Sequence, residues 1–120
     1  MKNYENNLVS EIISDEDFEN LFNDTEILSK YQYIVVDFFA QWCRPCKTIA
    51  PDYIKLASKY SNLKFIKIDV DNCSDTSDNY KIGNLPTFLT INLQNKFVEN
   101  RIEGADIAAV ETMCNQYSKI

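Results

Sequence analysis

Seven consecutive residues, Tyr33-Ile34-Val35-Val36-Asp37-Phe38-Phe39, decide most of what this chain can become. The run is β-branched, aromatic and almost wholly apolar, as expected of a strand covered on both faces. A strand with no solvent face needs helices above and below it, which points to an α/β architecture. The rest of the chain supplies the partners. Leu8 to Ile13 reads as a short, weak strand. Ser14 offers a helix cap ahead of Asp15, Glu16 and Asp17, and Phe18, Leu21, Phe22 and Leu28 form one apolar stripe. From Cys46, residues Ile49, Ala50, Tyr53, Leu56, Ala57 and Tyr60 recur at helical spacing. Pro51 is expected to kink that helix by removing one backbone donor. Leu63 to Val70 is the next strand, and a short helix follows around Ser74 to Lys81. Two strands, about Thr87 to Leu93 and Lys96 to Ile102, meet at Gln94-Asn95. So short a turn holds no crossover, so this pair is read as an antiparallel hairpin. Gly104 breaks the chain before a last helix carrying Ile107, Val110, Cys114 and Tyr117. The order βαβαβαββα predicts a mixed sheet whose parallel part has right-handed crossovers.

Residues 1–120 are expected to form a single domain, since no linker, repeat or low-complexity stretch interrupts the pattern. Histidine is absent. That removes Ser-His-Asp and Cys-His nucleophile pairs, imidazole metal ligands and any histidine base. The net charge of −6 disfavours a phosphate-binding surface, and so nucleic acid, and disfavours anionic membranes. No segment approaches the roughly 20 apolar residues that span a bilayer. Met1-Lys2-Asn3-Tyr4-Glu5-Asn6-Asn7 has neither the apolar run of a secretory signal nor the arginine-rich character of a transit peptide. The expectation is a cytoplasmic chain whose sequons, Asn23-Asp24-Thr25 and Asn72-Cys73-Ser74, are unused.

Four cysteines are present, Cys43, Cys46, Cys73 and Cys114, and one spacing is diagnostic: Trp42-Cys43-Arg44-Pro45-Cys46, between the buried strand and the long helix. Residues three apart at a helix entrance can bring two sulfurs within bonding distance. The unpaired N–H groups and positive dipole end there favour a thiolate on the first. Pro45 suits the first helical turn, where its missing N–H costs nothing. Cys43 is expected to be the exposed nucleophile and Cys46 the partly buried resolving thiol. Other readings stand beside redox chemistry. Half of a zinc site lacks two further ligands, because Cys73 and Cys114 are single. A purely structural disulfide over so short a loop adds little stability. Two unrelated core cysteines fit poorly with Trp42 and Pro45 around them.

Asp37 sits in the middle of the apolar run, where ionising a carboxylate costs several kcal/mol, so its pKa should be raised. A carboxyl titrating near neutrality beside a thiol is suited to act as general base. The alternative is that Asp37 reaches solvent at the strand end or is bound by backbone N–H groups; the residues alone leave both open. Lys67, in Phe65-Ile66-Lys67-Ile68, is the matching oddity one strand later. It either pairs with Asp37 or faces the surface.

Taken together, these segments resemble thioredoxin over nearly the whole chain, from about Glu11 to the last helix. Val36-Asp37-Phe38-Phe39-Ala40-Gln41-Trp42-Cys43-Arg44-Pro45-Cys46-Lys47 is similar to the family's central strand and active-site segment. Ala50-Pro51 is similar to its kinked helix, Lys67-Ile68-Asp69-Val70-Asp71 to its third strand, Leu85-Pro86-Thr87 to its cis-proline loop, and Gly104-Ala105 to the glycine before its final helix. The resemblance implies a thioredoxin fold: a five-stranded mixed sheet, order 1-3-2-4-5, with four helices on both faces. That order makes the strands of Asp37 and Lys67 neighbours and favours their pairing and a proton-transfer role for Asp37. The resemblance also implies a cis Leu85–Pro86 bond beside the disulfide, blocking metal capture, and backbone groups left free there for an extended client segment. Trp42, Leu85 and the Gly104-Ala105 turn would form an apolar docking rim, with Arg44 and Pro45 beside it.

The implied reaction is thiol–disulfide exchange on disulfide-containing client proteins, with Cys43 attacking and Cys46, helped by Asp37, resolving. The implied recycling partner is a flavin-dependent thioredoxin reductase using NADPH; no cofactor is expected in this chain, and it is expected to be a monomer. Departures remain. Arg44 replaces the usual glycine, and an exposed cation there contributes at most about 1 kcal/mol, or about 20 mV. Phe39 stands where many members have tryptophan and Asn95 where a turn glycine is common; neither is expected to touch the chemistry. Cys73 resembles an extra cysteine of some eukaryotic members, either regulatory or a buried structural thiol, and Cys114 is read as core. Asp69-Val70-Asp71-Asn72 lacks the glycine and distal glutamate of a calcium loop. Three functions compete: a cytosolic protein-disulfide reductase, which the proline-containing motif, Asp37 and the missing signal favour; an oxidase or isomerase of a secretory compartment; and a binding or scaffold subunit with incidental redox chemistry.

Overall fold

The run Tyr33–Phe39 (β2) is the middle strand of a five-stranded sheet in the computed structural model, which describes residues 8–119. The segment Met1–Asn7, on which the targeting expectation rests, lies outside the described residues. Around β2 stand β1 (Val9–Ile12), β3 (Lys64–Asp69), β4 (Thr87–Asn92) and β5 (Val98–Glu103), in the order β1-β3-β2-β4-β5. β1 and β2 pair parallel to β3, while β2–β4 and β4–β5 are antiparallel. The expected mixed sheet and late hairpin are both present. Asn92 shapes the hairpin turn, its Oδ1 accepting from Gln94 N at 2.8 Å and Asn95 N at 3.3 Å.

Alternation along β2 sends Tyr33 and Val35 to one core and Ile34, Val36 and Phe38 to the other. The first core is closed by α3 (Arg44–Lys59) and α5 (Ile107–Ser118) through Tyr53, Leu56, Val110 and Met113. The second is closed by α1 (Asp15–Leu21) and α2 (Thr25–Lys30), with α4 (Ser74–Asn79) lying against α1, through Phe18, Leu21 and Cys73. Each large side chain so buried contributes about 1.5–3 kcal/mol. Helices therefore cover both faces, as the unbroken apolar run required.

The described residues contain five helices, not four, because the stripe from Phe18 to Leu28 is divided. Asp24 restarts the chain as a new N-cap, its Oδ1 accepting from Glu26 N at 3.0 Å and Ile27 N at 3.1 Å. Its short carboxylate competes for those N–H groups and so cannot sit inside one continuous helix. The long helix starts at Arg44 with Cys43 as its N-cap, so Pro45 stands in its first turn as expected, and the helix runs through Pro51.

Candidate active site

β2 ends at Phe39, four residues turn beyond the end of the strand, and α3 begins at Arg44. This strand-to-helix junction aims Cys43 at the helix entrance. Cys43 and Cys46 lie at disulfide-bonding distance with their Cα atoms 5.3 Å apart. The Cys46 N–H donates to Cys43 Sγ at 3.2 Å, so the first sulfur occupies the acceptor position of a helix N-cap. At the N-terminus of a 16-residue helix, that N–H and the aligned dipole stabilise negative charge on Cys43.

Exposure does not separate the two sulfurs as expected: Cys43 is 5% exposed and Cys46 4%. What separates them is direction. Cys43 lines an open groove of about 600 Å³ with Trp42, Arg44, Pro45, Ile82 and Leu85. Cys46 lines a smaller cavity of about 170 Å³ on the inner side, together with Asp37, Phe39, Lys47 and Lys67.

Asp37 is buried, and among the described residues its Oδ1 has no hydrogen-bond partner. Desolvation pushes its carboxyl up to about 7, and the positive charge of Lys67 moderates the rise. Among the described residues no backbone N–H binds the carboxyl, and Asp37 is only 4% exposed. Lys67 is its direct cross-strand neighbour, but the two form no ion pair. The ammonium instead stands 3.9 Å from Glu11 Oε1 and 5.2 Å above the Phe39 ring. β1 places Glu11 opposite Lys67 on the other side of β3, so the half-exposed ammonium has a carboxylate on either hand and stands by the half-exposed one rather than the buried one. Phe39, expected to stand apart from the chemistry, lines the cavity that Asp37 and Cys46 share. Residues two apart on a strand share a face, so Asp37 and Phe39 point together.

The Leu85–Pro86 bond is cis. Among the described residues neither the N–H nor the carbonyl of Leu85 makes a hydrogen bond, whereas Pro86 O accepts from Gly104 N at 2.8 Å. Gly104, at φ +99°, thus ties its turn to the proline loop. Gly104 and Ala105 are not among the residues lining the groove; Val70, Ile82, Gly83 and Asn84 are, and sequence reasoning missed them. Gly83-Asn84 directly precedes Leu85-Pro86, which was the available signal. Trp42 is 70% exposed, so its ring offers apolar surface, and its Nε1–H donates to Asp71 Oδ2 at 3.1 Å.

Cys73 and Cys114 lie in the two separate cores, away from the pair, and are free. Among the described residues, no group of three or more histidine, cysteine or acidic side chains is placed to hold a metal ion. Cys73 donates its S–H towards Ile12 O at 3.7 Å, and burial, then Asp15, pushes its thiol up to about 11. Burial raises Cys114 to about 12. At pH 8 a thiol of pKa 11 is ionised in about one molecule per thousand. Native reduced protein treated with iodoacetamide at pH 8 should therefore take up label at the groove-facing Cys43 and none at Cys73 or Cys114; peptide mass mapping checks this. Labelling of Cys73 without denaturant would show that its burial is not maintained.

A family profile described as Thioredoxin matches residues 10–116. A thioredoxin of Neurospora crassa is 35% identical over 118 residues, covering 93% of this chain and 88% of that one. A thioredoxin of Callithrix jacchus is 34% identical over 101 residues, covering 84% and 94%. Among solved structures, thioredoxin from Schistosoma mansoni superposes with a TM-score of 0.81 at 40% identity, covering 91% of this chain and 94% of the other. Family, fold and a cysteine pair at a helix entrance agree: the chain belongs to the thioredoxin family and is a thiol–disulfide oxidoreductase.

Proposed function

We propose that this single-domain chain is a protein-disulfide reductase that helps maintain cell redox balance, with Cys43 as nucleophile, Cys46 as resolving thiol and Asp37 as the base that serves Cys46. The observation that carries the reading is the placement of Cys43 at the α3 N-cap on an open groove, with Cys46 behind it on the cavity of Asp37. A client segment lies in the groove between Trp42, Pro45 and Leu85, pairing its backbone with the free N–H and carbonyl of Leu85. Cys43 thiolate attacks one client sulfur, forming a mixed disulfide and expelling the other as a thiolate. Cys46 gives its proton to the Asp37 carboxylate and attacks Cys43 Sγ. The Cys43–Cys46 disulfide forms and the second client thiolate leaves. Two electrons have passed from the dithiol to the client.

Lys67 acts at a distance in this scheme: its charge limits how far burial raises Asp37. Arg44, exposed beside Cys43, adds positive charge where the client thiolate departs. The oxidised pair is re-reduced by a flavin-dependent thioredoxin reductase drawing on NADPH. The free Cys73 and Cys114 fit a reducing compartment such as the cytoplasm. Among the described residues no helix is long and apolar enough to cross a membrane. The test is reconstitution of the chain with thioredoxin reductase, NADPH and insulin. NADPH oxidation should require all three proteins and precede precipitation of the freed insulin B chain. A chain that accepts electrons from dithiothreitol yet leaves insulin intact would overturn the reductase reading.

A further inference from the structure

The groove wall opposite Trp42 is a stretch of irregular backbone, Ile82 to Leu85, following the end of α4. A helix of six residues has little stability of its own, although the carbonyls of Thr76, Ser77 and Asp78 accept from the N–H groups of Tyr80, Ile82 and Lys81. The chain leaves it through Lys81 at φ 55°, a left-handed conformation that disfavours a lysine. Side chains from outside the segment add to these bonds.

Thr87 Oγ1 donates to Asn84 O at 2.5 Å, and the larger set of bonds comes from Arg101, on β5. Its Nη1 donates to Tyr80 O at 2.7 Å and its Nη2 to Lys81 O at 2.8 Å. Its Nε donates to Glu103 Oε2 at 2.9 Å, and Glu103 Oε1 in turn accepts from Asn84 Nδ2 at 2.8 Å. The planar guanidinium serves all three acceptors at once, which a lysine cannot. The braces fall at both ends of the wall, Tyr80 and Lys81 before it and Asn84 within it. Between them Ile82 donates its N–H to Ser77 O at 3.0 Å and packs on the second core, while Gly83 is exposed. The Glu103 carboxyl is held below its ordinary range, first by the Arg101 hydrogen bond and then by that of Asn84, which fits an ionised, fully engaged group.

We propose that Arg101 is a positioning residue for client binding, fixing the Ile82–Leu85 wall through Glu103, Asn84 and the carbonyls that follow α4. This rests on the reading that the groove receives the client segment. A wall already ordered spares the client the entropy of ordering it, so the effect belongs in KM for extended protein substrates. A small disulfide, which touches Cys43 and little of the wall, should feel it less.

The experiment compares wild type, Arg101→Ala and Arg101→Lys on insulin and on a small aromatic disulfide, with amide hydrogen exchange on each protein. In Arg101→Ala the insulin KM should rise about tenfold with kcat changed less than about twofold. The ratio of insulin to small-disulfide kcat/KM should fall about fivefold. Amides of Tyr80, Lys81 and Ile82, which donate to Thr76, Asp78 and Ser77, should exchange at least about fivefold faster. Arg101→Lys, which keeps the charge but loses the fork, should recover only part of this; if Arg101→Ala does not fold, the lysine variant carries the test with a KM rise of about threefold. An unchanged insulin KM, or equal losses on both substrates with unchanged exchange, overturns the proposal. A wild type that leaves insulin intact overturns the reductase reading instead, and the exchange comparison still reads the brace.

Discussion

Cys46→Ser should turn the chain from a catalyst into a trap: insulin turnover falls by at least about a thousandfold, and a covalent complex with the client accumulates. The hydroxyl of serine is not ionised at neutral pH and cannot displace a sulfur, so the first exchange proceeds and the second does not. Cys43→Ser should abolish turnover to the same degree and trap nothing. The asymmetry comes from placement, since the two cysteines are almost equally buried. Cys43 Sγ accepts the Cys46 N–H and opens on the client groove, whereas Cys46 opens on the inner cavity with Asp37. Non-reducing electrophoresis of each variant after incubation with oxidised insulin reads the outcome directly. A complex that dithiothreitol dissolves should appear with Cys46→Ser alone. Its appearance with Cys43→Ser would make Cys46 the nucleophile and reverse the assignment.

Much of this site could be read from residue order, and the exceptions share a physical cause. The apolar run of β2 announced a doubly covered strand because nothing in it tolerates water except Asp37. The cysteine pair could be placed at a helix entrance because strand, turn and periodic stripe follow one another within a few residues. What local order could not give is register between distant strands. That β1 and β2 both slide against β3 so as to set Glu11 and Asp37 level with Lys67 is such a register, and a shift of one residue in either would turn its carboxylate to the other face. The sheet order itself came from family resemblance, not from pattern. The division of the first helix was legible in principle, since Asn23-Asp24 interrupts the stripe, but the apolar spacing masked it. Val70 and Ile82 were missed as groove residues because each sits in a loop whose position is set by contacts made elsewhere in the chain.

Asp37→Asn tests the one buried charge of the mechanism through two independent readouts. The first is kinetic. Wild-type resolution of the mixed disulfide should accelerate as pH rises through about 7, where the carboxyl becomes able to take the Cys46 proton. Asparagine cannot accept it, so the variant should resolve about ten- to a hundredfold more slowly at neutral pH and lose that inflection. The second is stability, and its sign is fixed by linkage. The folded carboxyl titrates at about 7 against an ordinary 3.8, so between those values the folded chain binds the proton more tightly than the unfolded chain does. That stabilisation is whole below about pH 4 and is lost as pH rises through about 7. A shift of about three units is worth about 4 kcal/mol, part of which a buried amide without partners forfeits. Urea denaturation of oxidised protein should therefore find Asp37→Asn about 1–3 kcal/mol more stable than wild type at pH 8.5, with the advantage gone or reversed at pH 4. Parallel stability curves for the two proteins across that range would mean that Asp37 is ionised at little cost in the fold, and the inner base would have to be sought elsewhere.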